Sequence, residues 1–220
     1  MIQVYVGATR SKKLIARLKD MGWGRVWVRE KPTPYEGEPW FFDNGAYSDY
    51  LAGNSFDTDV FLKHYGRALE LDFTHQIDPP QFGVVPDIVG RGHKSLAFSV
   101  RWRHRLRGDW MWYLVVQDGM EAECVRPFVG DFDGIFLGGT DNFKASASMW
   151  CKMAHDHGKP FHYGRVSTPK KLDHAIEVGA DSCDSAFPLW SMERFDHFAD
   201  CWQNGNPQFK LFEKTDDSTA

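Results

Sequence analysis

The stretch 161–188 constrains the fold more than any other part of the sequence, because it is typical of a strand, a helix and a second strand. Thr168 followed by Pro169 marks the start of the helix. The threonine hydroxyl can accept a hydrogen bond from a free N–H of the first turn, and proline suits the first helical position because a donor there would be unpaired anyway. Gly179 can adopt the left-handed conformation that ends a helix, and the next strand is predicted at 180–184. A unit of this kind builds a parallel sheet.

The same alternation of short apolar segments with longer segments of helical spacing runs along the whole chain. In the helix that follows Pro169, Leu172, Ala175 and Ile176 are predicted to form the apolar face. Strands are predicted at 2–6, 25–28, 40–43, 82–86, 111–116, 134–137, 162–166 and 180–184. Helices are predicted at 10–21, 56–71, 93–106, 121–128, 142–157, 169–179 and 192–202. Eight strands that alternate with helices predict an α/β fold, a compact TIM-type (β/α)8 barrel over 1–204, with a loose tail at 205–220.

Composition and cysteine spacing narrow the class of protein. The formal net charge of −4 does not suit a globally basic nucleic-acid binder. No apolar run reaches the roughly 18 residues of a membrane span, and the N-terminus lacks the layout of a signal peptide, so a cytoplasmic protein without membrane contact is expected. The four cysteines are far apart, with no CxxC or CxH pair. They are therefore interpreted as buried free thiols, and no structural zinc site is predicted.

Polar and glycine residues follow most of the predicted strands. In parallel α/β folds the C-terminal ends of the strands gather around one mouth, where catalytic groups lie. A single strand-end aspartate is often only the cap of the next helix. Several carboxylates at one mouth raise each other's pKa at a cost in stability, which favours a chemical role and a site for a planar polar heterocycle such as a purine. The residues at these positions are Asp43, Asp87, Gln117, Gly138, Gly139, Arg165 and Asp184.

Four short motifs resemble those of the tRNA-guanine transglycosylases, in the same order along 40–188. The sequence DNGAY at 43–47 resembles their Asp-Ser-Gly-Gly-Tyr/Phe motif, and VQDG at 116–119 resembles their Val-Gln-Gly-Gly turn. LGG at 137–139 resembles their Gly-Gly-Leu loop. The segment that ends at Pro188 is similar to their Gly-Val-Gly-Thr-Pro motif and the nucleophile motif after it, with the same spacing from Pro169 to Asp184.

The resemblance implies an exchange of bases at a glycosidic carbon, without a cofactor or a metal. Asp184 would attack C1′ of a guanine nucleotide as a covalent nucleophile, and a 7-deazaguanine base would replace the departing guanine. Asp43 would assist proton transfer and hold the base. Asp87 would bind the base through its carboxylate and Gln117 through its carboxamide. Gly138 and Gly139 would offer backbone N–H groups. The ring of Tyr47 would stack on the base.

Differences from the family decide which polymer is expected. The tRNA enzymes carry a zinc-binding Cys-x-Cys-x-x-Cys…His subdomain near the C-terminus, and nothing after Pro188 supplies one. The compact chain is similar to phage and bacterial relatives that insert 7-deazaguanine bases into DNA. DNA is therefore the expected partner and tRNA the alternative, while a homodimer or an accessory protein is left open.

Basic side chains cluster on and around the helix that follows Asp87. We expect them to form a ridge beside the mouth that contacts phosphates, although a solvated helix face is the alternative. Arg165, beside the proposed nucleophile, is a further candidate for a phosphate contact, and a structural ion pair with Asp184 or Asp87 is its alternative. His162 is interpreted as a packed histidine without a role. The basic residues of the ridge are Arg91, Lys94, Arg101, Arg103 and Arg105.

The sequence also allows two functions other than base exchange. The barrel could bind a nucleotide or a partner protein without catalysis, although the three aspartates together argue against this. It could also be an unrelated lyase or hydrolase whose carboxylates hold Mg²⁺, an ion that prefers oxygen ligands. Chelation would separate the last class from a transglycosylase, whose activity should survive it.

Overall fold

Eight parallel strands close into a barrel in the computed structural model, which describes residues 1–29, 33–107 and 109–205. Each strand pairs with its neighbour in sequence, and β1 pairs with β8 to close the barrel, with Tyr5 opposite Asp184. The predicted TIM-type (β/α)8 fold is confirmed, whereas nearly all of the predicted tail lies outside the described residues. The strands are β1 Gln3–Val6, β2 Gly24–Trp27, β3 Trp40–Phe42, β4 Phe82–Val84, β5 Trp112–Val116, β6 Gly134–Leu137, β7 Phe161–Tyr163 and β8 Ser182–Ser185.

Helices follow the strands and cover the outside of the barrel. Every predicted helix is present, but three details were wrong. The helix predicted at 121–128 is an α-helix only over Ala122–Val125, and Arg126–Asp131 forms a 3-10 helix. One short helix was not predicted, because six residues are too few to show a helical period. The helix predicted at 142–157 is two helices, because the Ser146 hydroxyl accepts from Trp150 and donates to the Phe143 carbonyl in place of a regular turn. The helices are α1 Lys12–Asp20, α2 Ala46–Leu51, α3 Thr58–Phe73, α4 Gly92–Arg103, α5 Ala122–Val125, α6 Asp141–Lys144, α7 Ala147–Asp156, α8 Pro169–Glu177 and α9 Met192–Asn204.

The predicted ends of α8 are confirmed. The Thr168 hydroxyl accepts from the backbone N–H of Lys171, and Pro169 is the first helical residue. Gly179 follows the helix with φ at +83°. Leu172 and Ala175 are buried as predicted, whereas Ile176 is 41% exposed and lies at the edge of the apolar face.

The interior of the barrel is filled by side chains that point inward from alternate strand positions. Phe82 stacks between Phe41 and Tyr113, with ring centroids 4.6 and 4.0 Å away. Tyr5 packs edge-on against Phe41 at 5.1 Å. This packing leaves the lower barrel solid, so that a ligand site is expected above it, at the C-terminal ends of the strands.

The first residue of α4, Gly92, touches Gly119 in the loop after β5. Gly92 has φ at +45°, and a Cβ there would lie 2.4 Å from the carbonyl oxygen of Gly119. Gly119 has φ at +78°. The backbone at the start of α4 is therefore in direct contact with the loop after β5, and glycine at position 92 is needed for that contact.

Replacing Gly92 by alanine should destabilise the protein by roughly 2–4 kcal/mol, because the new Cβ collides with backbone and φ is positive. Gly66 is the matched control, since it lies in α3 with open space around its missing side chain. Gly66→Ala should be neutral or stabilise by about 0.5–1 kcal/mol. Urea unfolding of both variants measures the difference, and equal midpoints would contradict the contact.

Two further predictions can be compared with the structure. In the described ranges, no helix combines the length and the apolar character that crossing a membrane requires. Cys151, Cys183 and Cys201 are buried free thiols as predicted, but Cys124 is exposed, which corrects the prediction for that residue. Cys124 lies on the short helix α5.

Candidate active site

A cavity of about 500 Å³ opens at the C-terminal ends of the strands. Loops after β3, β4, β5, β6 and β7 contribute to its lining, as does the end of β8. The structure thus brings the predicted catalytic and base-binding residues together in one place, although their roles stay predictions. The cavity is lined, among others, by Asp43, Tyr47, Asp87, Gln117, Gly138, Gly139, Arg165 and Asp184.

Asp184 is held by one of its two carboxylate oxygens. Oδ1 accepts a hydrogen bond from His162 Nε2 at 3.1 Å and one from the backbone N–H of Arg165 at 3.0 Å. Its side chain is 16% exposed. No donor in the described part of the chain reaches Oδ2, so one oxygen orients the group and the other is left for a ligand.

His162 lies beneath Asp184 inside the barrel and is fully buried. Its ring stacks on Phe136 at 4.6 Å, and Nδ1 lies 2.8 Å from the Ser182 hydroxyl. A lone pair on Nε2 would face the carboxylate of Asp184 and be repelled. Nε2 therefore carries the proton, and Nδ1 accepts from Ser182. Burial lowers the pKa of His162 although Asp184 raises it, so the ring is neutral near pH 7.

The contact of His162 with Asp184 corrects the sequence interpretation, which gave this histidine no role. The packing part of that interpretation holds, but His162 also donates to Asp184. The register could have indicated this. His162 pairs with Ser182, and Asp184 is two positions further along the same strand and therefore points to the same face.

Arg165 spans the mouth of the cavity. Its backbone φ is +53°, its Nη2 donates to the carbonyl of Gly139 at 3.0 Å, and its guanidinium lies 4.2 Å from the centre of the Tyr47 ring. No ion pair joins it to Asp184 or Asp87, so the structural alternative for this arginine is not observed. Arg165 and Tyr47 thus meet above the carboxylates from opposite sides of the barrel.

Lys144, at the end of α6, is a site residue that the sequence did not indicate. Its buried ammonium donates to the carbonyl of Gly164, which belongs to the same peptide group as the N–H of Arg165. Burial and then the charge of Arg165 lower the pKa of Lys144 to about 8, while Asp184 raises it. Lys144 is therefore mainly protonated at neutral pH and polarises the peptide that donates to Asp184.

Asp43 has a different environment from Asp184. Its Oδ1 accepts from the backbone N–H of Gly45 at 2.7 Å, and its side chain is partly accessible from the cavity. Burial, together with the charges of Asp184 and Asp87, raises the pKa of Asp43 to about 6, although the Gly45 N–H and Arg29 oppose the shift. A carboxyl group with such a pKa can both give and take a proton near neutral pH.

Asp87 is buried and held at both oxygens. Oδ1 accepts from Asn44 Nδ2 at 2.8 Å and Oδ2 from Gln117 Nε2 at 2.8 Å, and burial raises its pKa to about 6. Gln117 Nε2 also donates to Ser95 Oγ at 2.9 Å. Both N–H donors of Gln117 are thus engaged, so it positions Asp87 and has no free N–H for a base carbonyl, contrary to the role implied by the resemblance.

The backbone N–H groups of the two glycines after β6 differ in whether they are already hydrogen-bonded. The N–H of Gly138 donates to Val116 O at 2.9 Å within the sheet, so it is not free for a ligand. The N–H of Gly139 has no partner among the described residues. Gly139 has φ at +77°, and a Cβ there would lie 2.6 Å from Asp118 Oδ2. Only Gly139 can therefore offer the backbone donor that was predicted for both.

Comparison with known proteins does not add a family to this picture. No protein-family model matches the chain, and no curated protein matches it either. The fold and the geometry of the cavity are therefore the basis for a proposal about function. A TIM-type barrel is commonly an enzyme scaffold, with its active site at this end of the strands.

The predicted basic ridge is divided between the two ends of the barrel. Arg91 and Lys94 lie at the exposed N-terminal end of α4, beside the cavity. A helix of twelve residues is about 18 Å long, so its C-terminal end lies at the opposite face. There Arg103 donates to Asp131 O at 2.9 Å and pairs with Asp133 at 3.4 Å. Arg101 and Arg105 lie near Arg103 at the same end of the helix. The prediction that all five basic residues form one ridge beside the mouth was therefore wrong.

Proposed function

We propose that this protein exchanges a guanine base in DNA for a 7-deazaguanine base by double displacement at the glycosidic carbon. The observation that carries the proposal is the pair formed by Asp184 and Asp43 in one cavity. Asp184 has one oxygen fixed and one free, as a nucleophile requires, and Asp43 has a pKa near 6, as an acid and base requires. The motif resemblance at 40–188 supports the same assignment of roles.

In the first displacement, Oδ2 of Asp184 attacks C1′ of the target deoxyguanosine. The bond between C1′ and N9 breaks, and its electron pair leaves with guanine, which takes a proton from the carboxylic acid of Asp43. The deoxyribose is then bound to Asp184 as an ester. The N–H groups of His162 and Arg165 hold the other oxygen, so that the carboxylate stays oriented throughout the attack.

In the second displacement, the 7-deazaguanine occupies the place of guanine. Its N9 loses a proton to the carboxylate of Asp43 and attacks C1′, and Asp184 leaves as a carboxylate. Each displacement inverts C1′, so the product retains the original configuration, as in glycosidases with two carboxylates. The enzyme returns to its starting protonation state without any cofactor.

Asp87, Gly139 and Tyr47 are assigned to recognition of the base. When ionised, Asp87 can accept from the N–H groups on the pyrimidine edge of guanine, and the N–H of Gly139 suits the base carbonyl. Tyr47 is 39% exposed at the mouth, where its ring can stack on the base. A cavity of about 500 Å³ is of a size typical for small-molecule sites.

The polymer must present the base outside its stack, because the reacting carbon has to reach Asp184 within the barrel. Arg91, Lys94 and Arg165 are basic groups beside the mouth that can contact the flanking phosphates. Residues 1–220 contain no counterpart of the zinc motif of the tRNA enzymes, which favours DNA as the substrate. Transfer RNA is kept as a separate arm of the test.

Nucleoside mass spectrometry tests the proposal directly. Duplex DNA, single-stranded DNA and tRNA are each incubated with the protein and 7-cyano-7-deazaguanine, with Asp184→Asn as the control. We expect the modified deoxynucleoside in DNA and only with the unmutated protein. Product in tRNA alone would overturn the choice of polymer, and no product from any substrate would overturn the proposed reaction for this base.

His162→Phe should lower kcat by about 10- to 100-fold with little change in KM, because the ring still packs on Phe136 but no longer orients Asp184. His64 provides a matched control. It is also a buried histidine stacked on a phenylalanine, Phe42 at 4.5 Å, but it lies outside the cavity. Steady-state kinetics and thermal unfolding of His162→Phe and His64→Phe separate the two effects. Equal losses of activity, in proportion to lost stability, would contradict a positioning role.

A further inference from the structure

We propose that His93, Glu121 and Cys124 form a zinc-binding site on the rim of the barrel. The ring nitrogen, carboxylate oxygen and thiol sulfur that these residues offer all lie within 4.8 Å of one another. None of the three side chains takes part in the hydrogen bonds that hold Asp43, Asp87 and Asp184. The site is therefore separate from the proposed base-exchange machinery and does not rest on it.

Backbone at the starts of two helices brings the three donors together. His93 is in the first turn of α4, directly after Gly92. Glu121 precedes α5, and Cys124 is one turn later, with its N–H bonded to the carbonyl of Glu121 at 3.1 Å. Residues at this spacing lie on the same side of a helical turn. The contact between Gly92 and Gly119 then fixes the distance between the histidine and the other two ligands.

The chemistry of the donors selects the ion. A thiolate, an imidazole and a carboxylate are all ligands of Zn²⁺, whereas Mg²⁺ and Ca²⁺ require oxygen and disfavour sulfur. Zinc bonds of about 2.0–2.3 Å place tetrahedral ligands roughly 3.5 Å apart. Exposed side chains within 4.8 Å of each other reach this spacing by small rotations. Three protein ligands leave the fourth position to water.

The sequence predicted no structural zinc site because it contains no CxxC or CxH pair. That rule detects only ligands that are close along the chain, whereas His93 and Cys124 are brought together by the fold. A bound ion would link the start of α4, which follows the loop that contains Asp87, to α5, which follows the loop that contains Gln117. Zinc is therefore expected to stabilise the rim beside the base-binding side of the cavity.

Zinc binding by the untagged, metal-free full chain tests the site. Competition with a chromophoric chelator should show one bound Zn²⁺, and Co²⁺ should give the charge-transfer absorption of a thiolate ligand. Cys124→Ser, Glu121→Gln and His93→Asn should each weaken binding by at least about tenfold. The controls are Glu123→Gln, on the same short helix, and His104→Asn, at the far end of α4. Both residues are exposed and should leave the affinity unchanged.

The rate at which Cys124 is alkylated gives a second test of zinc binding. Cys124 is the exposed cysteine of the four, so a small alkylating reagent should label it first. Zn²⁺ should slow this labelling at least about tenfold, because a metal-bound thiolate is a poorer nucleophile. Labelling at the same rate with and without Zn²⁺, or ligand variants that bind Zn²⁺ as the controls do, would overturn the proposal.

Discussion

Asp184→Asn should abolish base exchange, with a loss of at least about a thousandfold in kcat, and leave the fold intact. The amide oxygen of asparagine can still accept from His162 and from the N–H of Arg165, as Oδ1 of Asp184 does. The amide nitrogen would then occupy the position of the free oxygen. The hydrogen bonds survive and the nucleophile is lost, so activity and stability respond differently.

The measurement combines nucleoside mass spectrometry with denaturing electrophoresis. The unmutated protein should form a covalent adduct with DNA, and Asp184→Asn should form none. Asp181→Asn is the control, since Asp181 is an exposed carboxylate that precedes β8 at the other end of the barrel. Full activity in Asp184→Asn would remove Asp184 from the role of nucleophile.

Asp43→Asn should reduce base exchange by about 10²- to 10⁴-fold and at the same time stabilise the protein near pH 7. The loss of activity follows from the loss of the proton donor and acceptor. The gain in stability follows from the raised pKa, since burial and two neighbouring carboxylates disfavour the charged form of Asp43 in the folded state. An uncharged amide avoids this cost and can still accept from the N–H of Gly45.

The stability gained by Asp43→Asn should depend on pH. The pKa of an unfolded aspartate is about 3.9, and that of folded Asp43 is about 6. Between these values the folded state binds more protons, so the contribution of Asp43 to stability is fully present below about pH 4 and is lost as pH rises through about 6. Asp43→Asn should therefore gain about 1–2 kcal/mol over the unmutated protein near pH 8 and almost nothing near pH 4. Urea unfolding at several pH values measures it.

Asp87→Asn is the informative comparison, because its pKa is also raised to about 6 but its hydrogen bonds differ. Both oxygens of Asp87 accept N–H groups, from Asn44 and from Gln117. An amide would direct its own N–H toward one of these donors and leave a buried group unpaired, at a cost of about 1–3 kcal/mol. Near pH 8, Asp87→Asn should therefore be less stable than Asp43→Asn by about 1–3 kcal/mol. Equal changes of stability in the two variants would show that these hydrogen bonds do not control the energetics of the cavity.

Most of the fold could be predicted from the sequence because its signals are local. The strands that end near Asp43 and Asp87 are short apolar segments bounded by turn residues. The strand that contains Asp184 follows a helix whose start is marked by the local cap of Thr168 and Pro169 and whose end is marked by Gly179. The general rule for parallel strands then places the strand ends at one mouth. The meeting of these carboxylates in one cavity follows from that rule, without knowledge of any side-chain contact.

Only the tertiary structure decided which atoms are bonded and which are free. The role of His162 depends on the register of β7 with β8, and Lys144 reaches Gly164 across a loop that no periodicity describes. The N–H groups of Gln117 and Gly138 were expected to be free, but they are used by neighbours distant in sequence or across the sheet. Periodicity in a sequence specifies which side of an element is buried. It carries no information about which partner that side meets, because the partner is set by strand register and loop geometry.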